Sequence, residues 1–270
     1  MSVALLYFVF KKIPFRDVAK LWSTVNIFYV ILAALFFLAS QVLSTKRLEF
    51  YFNSNDFNLD FRSNLELYFL GMFYNFFIPG GIGGDAYKVY ILNKKFGWGA
   101  KKITSALFND RLSGLLAICV LILASSAFLF EIKWIWLIIV LILGGIAFTY
   151  FLTKKIFSTY TEIFFKTFSI SIFIQLLQVI CFILIMKSLG LNDNFTIYTV
   201  TFLGSSVLSL ISFAGIGVRE MLFLQASKYF DFNASISVSA SLLFTVITAF
   251  FSFFGIIFQL RKLNLKLTEK

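Results

Sequence analysis

Uncharged apolar runs of about twenty residues recur along this chain, and they constrain its fold more than any other feature. A helix needs about 20 such residues to cross a hydrocarbon core of about 30 Å. The runs lie at 24–43, 67–84, 134–152, 167–186, 195–218 and 232–260, and a further run at 103–130 contains two charges. Charged residues make up only 14% of the chain, against about a quarter in soluble domains. The sequence therefore predicts an all-α, polytopic transmembrane protein with about six full spans plus a broken or re-entrant helix.

The first 23 residues differ from the rest because their apolar segment, Val3 to Phe10, is too short to cross a membrane. This segment also lacks the cationic start and the small-residue cleavage site of a signal peptide. We interpret 1–23 as the end of a first helix whose beginning is missing, or as an interfacial segment. The prediction is a single integral membrane domain over 1–270, with its core at 24–260 and a basic tail at 261–270.

Composition excludes several functional classes. The chain contains no His, and Cys119 and Cys181 stand apart in apolar runs. Zinc and di-iron sites therefore lack their usual ligands, and a histidine-based catalytic triad is excluded. The net charge of +11 is scattered between apolar runs, which favours a membrane explanation over nucleic acid binding. We predict no cofactor, no metal, no nucleic acid partner and no enzymatic activity.

The distribution of Lys and Arg predicts the orientation in the membrane. Basic residues concentrate in four segments, 11–20, 88–102, 154–166 and 261–270. Few occur in the segments between them, 46–64, 131–133 and 187–194. The positive-inside rule places the basic segments and the C-terminus in the cytoplasm of a cell (plasma or inner) membrane, and the other segments outside.

This orientation conflicts with two full crossings by the last two apolar runs. If 195–218 and 232–260 both crossed, the basic C-terminus would lie outside, so one of the two runs is not a simple span. The region 195–230 contains the breaker Gly215-Ile216-Gly217 and then Arg219 and Glu220. We therefore expect a re-entrant or broken helix there, which membranes tolerate only where it is buried in protein or lines a wet cavity.

A proline followed by four glycines in five positions is the sharpest motif. It reads Asn75, then Pro79, Gly80, Gly81, Gly83 and Gly84, and closes with Asp85 and Lys88. We expect the incoming helix to end near Pro79 and a new helix to start near Asp85. The free N–H groups at such a start carry positive partial charge and suit an anion such as phosphate. Close helix packing is the alternative reason for the glycines.

Two pairs of adjacent opposite charges lie inside apolar runs: Asp110 with Arg111, and Arg219 with Glu220. Each charge costs about 2.5–3.5 kcal/mol at a membrane helix centre. Neighbouring residues on a helix point about 100° apart, so each charge needs a partner elsewhere. We expect one polar cluster in which Lys88 and the two arginines hold an anionic head group while Asp85 and the other two acids balance charge. A purely structural ion-pair network is the alternative.

Three ordered motifs resemble the transmembrane, flippase-type region of lysylphosphatidylglycerol synthases, which also occurs as stand-alone membrane proteins. The pattern NxxxPGGxGGDxxR is similar to residues 75–88, with Lys88 where the family usually has Arg. An A…DRxxG element is matched by Ala106, Asp110, Arg111 and Gly114, and GxGxRE by Gly215, Gly217, Arg219 and Glu220. The proline that often precedes the second glycine motif is absent, and Ser209 to Phe213 stand there instead.

The resemblance implies movement of a lipid or lipid-linked head group between leaflets, without lipid aminoacylation. The partner it implies is a membrane lipid with an anionic head group, together with a homo-oligomer or a separate lipid-modifying enzyme. The predicted substrate-binding residues are Asn75, Pro79, Gly80, Gly81, Gly83, Gly84, Asp85, Lys88, Asp110, Arg111, Gly215, Gly217, Arg219 and Glu220.

Two alternatives to a flippase stay open. The first is a non-transporting membrane subunit that binds a lipid or a partner protein. The second is an intramembrane enzyme, for which Gly84-Asp85 suggests a GxGD-type aspartyl protease. Ile82 occupies the first glycine position of that motif, and the chain has no Tyr-Asp partner motif. Mutational behaviour separates the flippase from the subunit, because only a flippase needs the charged residues for transport.

Overall fold

The computed structural model describes residues 7, 9–12, 15–77, 83–129, 134–193, 195–211, 217–230, 232–261 and 263–268. These parts of the chain are almost entirely helical and contain no β-strand. The helices are α1 (Phe15–Ser23), α2 (Ile27–Asn53), α3 (Phe61–Phe77), α4 (Gly83–Phe96), α5 (Ala100–Ser126), α6 (Ile135–Ile156), α7 (Phe164–Ser188), α8 (Phe195–Ile211), α9 (Val218–Ala226) and α10 (Ala234–Leu260).

Within the described parts of the chain, five helices are long and apolar enough to cross a membrane: α2, α5, α6, α7 and α10. The predicted all-α polytopic membrane class is confirmed. Several helices continue beyond the uncharged runs that predicted them. The run at 24–43, for example, belongs to a helix that ends at Asn53 and carries Lys46 and Arg47. α2 packs along α7, its most extensive neighbour, and α5 and α10 complete the bundle around them.

The ends of the helices meet at two faces of the bundle. One, which we call the tail face, contains Phe57, Trp98, Tyr160 and Leu265 in one hydrophobic cluster. Here the Asp60 N–H donates to the carbonyl of Lys266, 3.0 Å away. At the other, which we call the opposite face, the Asn26 N–H donates to the carbonyl of Ser188, 3.0 Å away, and the rings of Tyr198 and Phe232 lie 4.8 Å apart.

α3 and α4 form a hairpin that begins and ends at the tail face. α3 starts at Phe61, beside the Asp60 contact, and α4 leads to Trp98, whose ring stacks 4.3 Å from that of Phe57. With 17 and 14 residues, the two helices are only about 25 and 21 Å long. The ring of Phe77, at the end of α3, contacts Phe253 about 10 Å inside the tail-face end of α10. The first hairpin therefore ends within the bundle.

α8 and α9 form a second hairpin that enters from the opposite face. They have 17 and 9 residues and pack against each other, and the chain after α9 returns to Phe232 at the opposite face. Glu220 of α9 accepts hydrogen bonds from Ser241 and Thr245, about 10 to 16 Å inside α10. The predicted broken helix at 195–230 is confirmed. The two hairpins thus enter the bundle from opposite faces.

Two segments lie on sides that differ from the predicted orientation. Segment 46–64 was expected opposite the basic loops, but it ends at the tail face beside 97–99, 157–163 and the C-terminal strand-like segment 263–268. That placement is wrong because the apolar run 67–84 does not cross on its own: its helix turns back. Basic segment 11–20 was also expected on the side of the other basic segments, but α1, which holds its Arg16 and Lys20 and leads to Asn26, lies near the opposite face.

We expect single cysteines to report these sides directly. In a chain carrying Cys119→Ser and Cys181→Ala, Asn53→Cys should react with a membrane-impermeant maleimide from the same side as Lys95→Cys. Asn192→Cys should react from the other side. All three native residues are exposed, so each cysteine is reachable. Labelling of Asn53→Cys from the side of Asn192→Cys would contradict the hairpin.

Candidate functional site

Asp110 and Arg111 lie near the middle of α5 and point to different partners. α5 begins at Ala100, so Asp110 is about 15 Å from its start, half of a bilayer core. Arg47 donates from Nε to Asp110 Oδ1 at 2.7 Å and from Nη2 to Oδ2 at 3.1 Å. Arg111 donates from Nε to Asp85 Oδ2 at 2.5 Å. The prediction that each charge needs a partner elsewhere is confirmed.

Arg47 joins three helices through a buried polar network. Its Nη1 donates to Ser171 Oγ at 2.8 Å, and Ser171 Oγ lies 2.7 Å from Ser113 Oγ. Gly114 makes room for the guanidinium, since a Cβ there would lie 3.2 Å from Arg47 Nη1. This network connects α2, α5 and α7, and both charges of its ion pair are shielded from the surroundings.

Sequence reasoning missed Arg47 because the uncharged run of α2 ends at residue 43. The spacing of polar residues along α2 nevertheless indicates that Arg47 faces the interior of the bundle. Ser40, Ser44, Arg47 and Tyr51 recur at steps of four, three and four residues, which places them on one helix face. All four are buried in the structure.

A second charged group lies at the start of α4. Asp85 is in the first turn of this helix, where the positive end of the helix dipole favours a carboxylate. Lys88 Nζ lies 3.6 Å from Asp85 Oδ1 and 4.8 Å from the centre of the Tyr68 ring. The exposed fraction of the side chain is 34% for Arg111, 20% for Asp85 and 6% for Lys88. Arg111 is thus the accessible cation of this group.

The glycines and Asn75 bring α3 and α4 into close contact around Lys88. Asn75 Oδ1 accepts a hydrogen bond from the Gly84 N–H at 2.8 Å. A Cβ on Gly84 would lie 2.0 Å from the carbonyl oxygen of Gly71, and one on Gly71 would lie 2.6 Å from Lys88 Cε. Close packing therefore accounts for Gly84. Gly83 is the first residue of α4, and Pro79, Gly80 and Gly81 lie outside the described residues.

In the second hairpin, the Glu220 side chain caps the N-terminus of α9. Gly217 has φ of 85°, a left-handed conformation that favours glycine, and its N–H donates to Glu220 Oε2 at 2.8 Å. Glu220 Oε1 accepts from Ser241 Oγ at 2.9 Å and from Thr245 Oγ1 at 3.2 Å. The carboxylate is fully buried, so its bonds hold α9 against α10. Gly215 lies outside the described residues.

Arg219 points away from Glu220 into an aromatic environment. Its guanidinium carbon lies 4.6 Å from the centre of the Phe244 ring and 5.4 Å from that of Phe202, and Nε donates to Ser205 Oγ at 3.3 Å. Within the described part of the chain, no carboxylate oxygen lies within 4.0 Å of this guanidinium. Cation–π contact with two rings compensates part of the cost of burying the charge.

The predicted single polar cluster is divided into three groups. They are Asp85–Lys88–Arg111, Arg47–Asp110 with its serines, and Arg219–Glu220 with its hydroxyl partners. No hydrogen bond or ion pair between described residues joins one group to another. In the same parts of the chain, no group of three or more acidic, Cys or His side chains is arranged to hold a metal ion.

These features define a class: a polytopic helical membrane protein whose two hairpins enter from opposite faces and carry charges to the middle of the bundle. The family model of the lysylphosphatidylglycerol synthase TM region matches residues 1–255. The chain belongs to this family, in agreement with its three motifs. A comparison with curated proteins finds no match.

Proposed function

We propose that this protein binds a phosphate-bearing membrane lipid by its head group and moves it between leaflets. The observation that carries this proposal is the Asp85–Arg111 pair, located about half a bilayer core along α5 with one third of the arginine side chain exposed. A charge at that depth costs about 2.5–3.5 kcal/mol. An arginine that carries this cost and is still accessible supports a role in binding. A purely structural ion pair is better stabilised when protein encloses both side chains.

Arg111 offers donors to an anionic head group. Its Nε–H donates to Asp85, and a guanidinium has four further N–H groups that suit phosphate oxygens. Lys88 is enclosed between Tyr68 and Asp85, so we assign it to holding Asp85 in place and not to contacting the lipid. Asp85 then fixes the plane of Arg111 while its own charge is shared by two cations.

We call Arg111 the first station, meaning the first binding site for the head group, and the second hairpin offers a second station. Arg219 lies at half depth from the opposite face and has no carboxylate partner among the described residues, so its charge is available to an anion. A head group that passes from Arg111 to Arg219 avoids the hydrocarbon, as in other transporters built on broken helices. Asn75 and the described glycines of the two hairpins, Gly83, Gly84 and Gly217, serve by shaping these two stations.

The proposed function includes an orientation of the protein in the membrane. We place the tail face in the cytoplasm because exposed lysines concentrate there at the ends of α4, α5 and α6, namely Lys94, Lys95, Lys101, Lys102, Lys154 and Lys155. No covalent step and no cofactor are part of the proposal. The rival is a subunit of the same family that binds lipid without moving it.

We expect Arg111→Gln to reduce lipid translocation by about tenfold or more, because a charge-assisted contact to the head group is lost. The measurement is leaflet-resolved scrambling of labelled phospholipids in proteoliposomes. Asp85 keeps Lys88 as a partner in this variant, so the fold is expected to survive.

Arg62→Gln is the matched control, since the Arg62 side chain is 85% exposed and pairs only at the surface with Glu66. It should scramble lipid at the wild-type rate. Equal rates for Arg111→Gln and wild type would contradict the assigned role of Arg111. Lipid binding without scrambling by the wild type would favour the non-transporting subunit.

A further inference from the structure

The lipid-facing side of α2 carries a groove that lies outside the charged groups described above. One wall is the apolar stripe of α2 from Leu35 to Leu43, and the other includes Leu177 of α7. Phe61 and Lys46 close the groove towards the tail face. The stripe from Leu35 to Lys46 runs for about 17 Å along the helix. The volume of about 630 Å³ lies within the range of small-molecule sites, about 300–1,000 Å³.

Two lysines lie at the tail-face end of the groove: Lys46 lines it, and Lys166 lies beside it over the Phe50 ring. Lys46 Nζ donates to Glu49 Oε1 at 2.6 Å and lies 5.5 Å from the centre of the Phe61 ring. Lys166 Nζ lies 3.8 Å from the centre of the Phe50 ring, over which Lys46 also sits at 5.7 Å. Among described residues, no carboxylate oxygen lies within 4.0 Å of Lys166 Nζ. Among the described residues, the Glu49 carboxylate is thus the one acidic partner within 4.0 Å of either ammonium group, and it pairs with Lys46.

We propose that this groove binds one acyl chain of an anionic phospholipid whose phosphate is held by Lys46 and Lys166. An apolar groove that ends in net positive charge is complementary to a hydrocarbon chain that ends in phosphate. Aromatic rings beneath both ammonium groups keep the lysine stems along the surface, and 45% of the Lys46 side chain stays exposed to meet the head group.

This site is separate from the translocation stations. The inner side of the same helix holds the buried Arg47–Asp110 pair, while the groove lies on its outer side. The proposal does not depend on translocation: a resident lipid can occupy the groove whether or not the protein moves lipid.

The test is native mass spectrometry of the full chain in detergent, titrated with phosphatidylglycerol or phosphatidylcholine of equal acyl composition. The wild type should retain one phosphatidylglycerol more tightly than phosphatidylcholine. Each lysine near the membrane surface contributes about fivefold in affinity, so Lys46→Gln with Lys166→Gln should weaken phosphatidylglycerol binding by about 30-fold. Ala39→Trp, which fills the groove from an exposed position, should remove the lipid that occupies the groove, whichever of the two is supplied.

Lys94→Gln with Lys95→Gln is the matched control, because these exposed lysines lie at the tail-face end of α4 and do not line the groove. This variant should bind as the wild type does. Unfolding midpoints equal to the wild type show that each variant is folded. Undiminished phosphatidylglycerol binding by the Lys46/Lys166 variant, or by Ala39→Trp, would overturn the proposal. Equal binding of the two lipids by the wild type would overturn the assigned preference for an anionic head group.

Discussion

Replacing Asp110 with Asn is expected to lower the free energy of unfolding by about 3–5 kcal/mol, the usual cost of removing one partner of a buried ion pair. The reason is the environment of Arg47. Its guanidinium makes two hydrogen bonds to Asp110 and one to Ser171, and the arginine is buried between α2, α5 and α7. Without the carboxylate, the cation remains in the bundle uncompensated.

Unfolding in SDS or by heat of the detergent-solubilised protein measures this loss. The pair Arg62–Glu66, whose arginine side chain is 85% exposed, supplies the control, and replacing both residues with Gln should change the free energy by no more than about 1 kcal/mol. The double variant Arg47→Met with Asp110→Leu removes both buried charges and should be more stable than Asp110→Asn alone. An Asp110→Asn protein as stable as the wild type would contradict the buried pair.

Adding a methyl group to Gly84 should lower the free energy of unfolding nearly as much as Asp110→Asn does. In Gly84→Ala the added Cβ would lie 2.0 Å from the carbonyl oxygen of Gly71, and neither backbone can give way without separating α3 from α4. Overpacking typically costs about 1–3 kcal/mol, and a contact with rigid backbone puts this case at or above the upper end. We expect a loss of about 3 kcal/mol or more, read from the same unfolding curves.

Gly144→Ala is the matched control for this substitution. Gly144 lies within α6, and nothing is within 4 Å of a Cβ built on it, so the same chemical change meets open space. Its free energy of unfolding should stay the same or rise slightly, because Ala has the higher helix propensity. Similar losses for the two variants would show that α3 and α4 are not in close contact at Gly84.

Much of the helical architecture follows from the sequence, because apolar runs without charge mark membrane helices directly. The break between α3 and α4 is also readable, since proline and glycine disfavour a continuous helix near Pro79. The second break follows from counting charges: a hairpin at 195–230 keeps the basic C-terminus on the same side as basic segments 88–102 and 154–166. Apolar runs, helix breakers and the distribution of Lys and Arg can all be read from the sequence without knowing which helices are in contact.

The contacts between helices are harder to derive. Helix geometry requires Asp110 and Arg111 to face different partners, but it does not say which residues those are. Arg47 is the partner of Asp110, and it is 63 positions away at the end of a helix whose charged last turns resemble a loop. The side of segment 46–64 was misplaced for a related reason. The run at 67–84 is long enough to predict a full crossing. Its helix α3 instead pairs with α4, and the chain returns to the tail face.

Scrambling in proteoliposomes that contain only the wild-type protein shows whether this family member moves phosphate-bearing lipid across the bilayer, as we propose. Vesicles with labelled phosphatidylglycerol, phosphatidylethanolamine or phosphatidylcholine are compared with protein-free vesicles of the same composition. We expect faster exchange between leaflets for at least one of the phospholipids, as the proposed function requires. Exchange at the protein-free rate for every head group, by protein whose fold is verified, would contradict it.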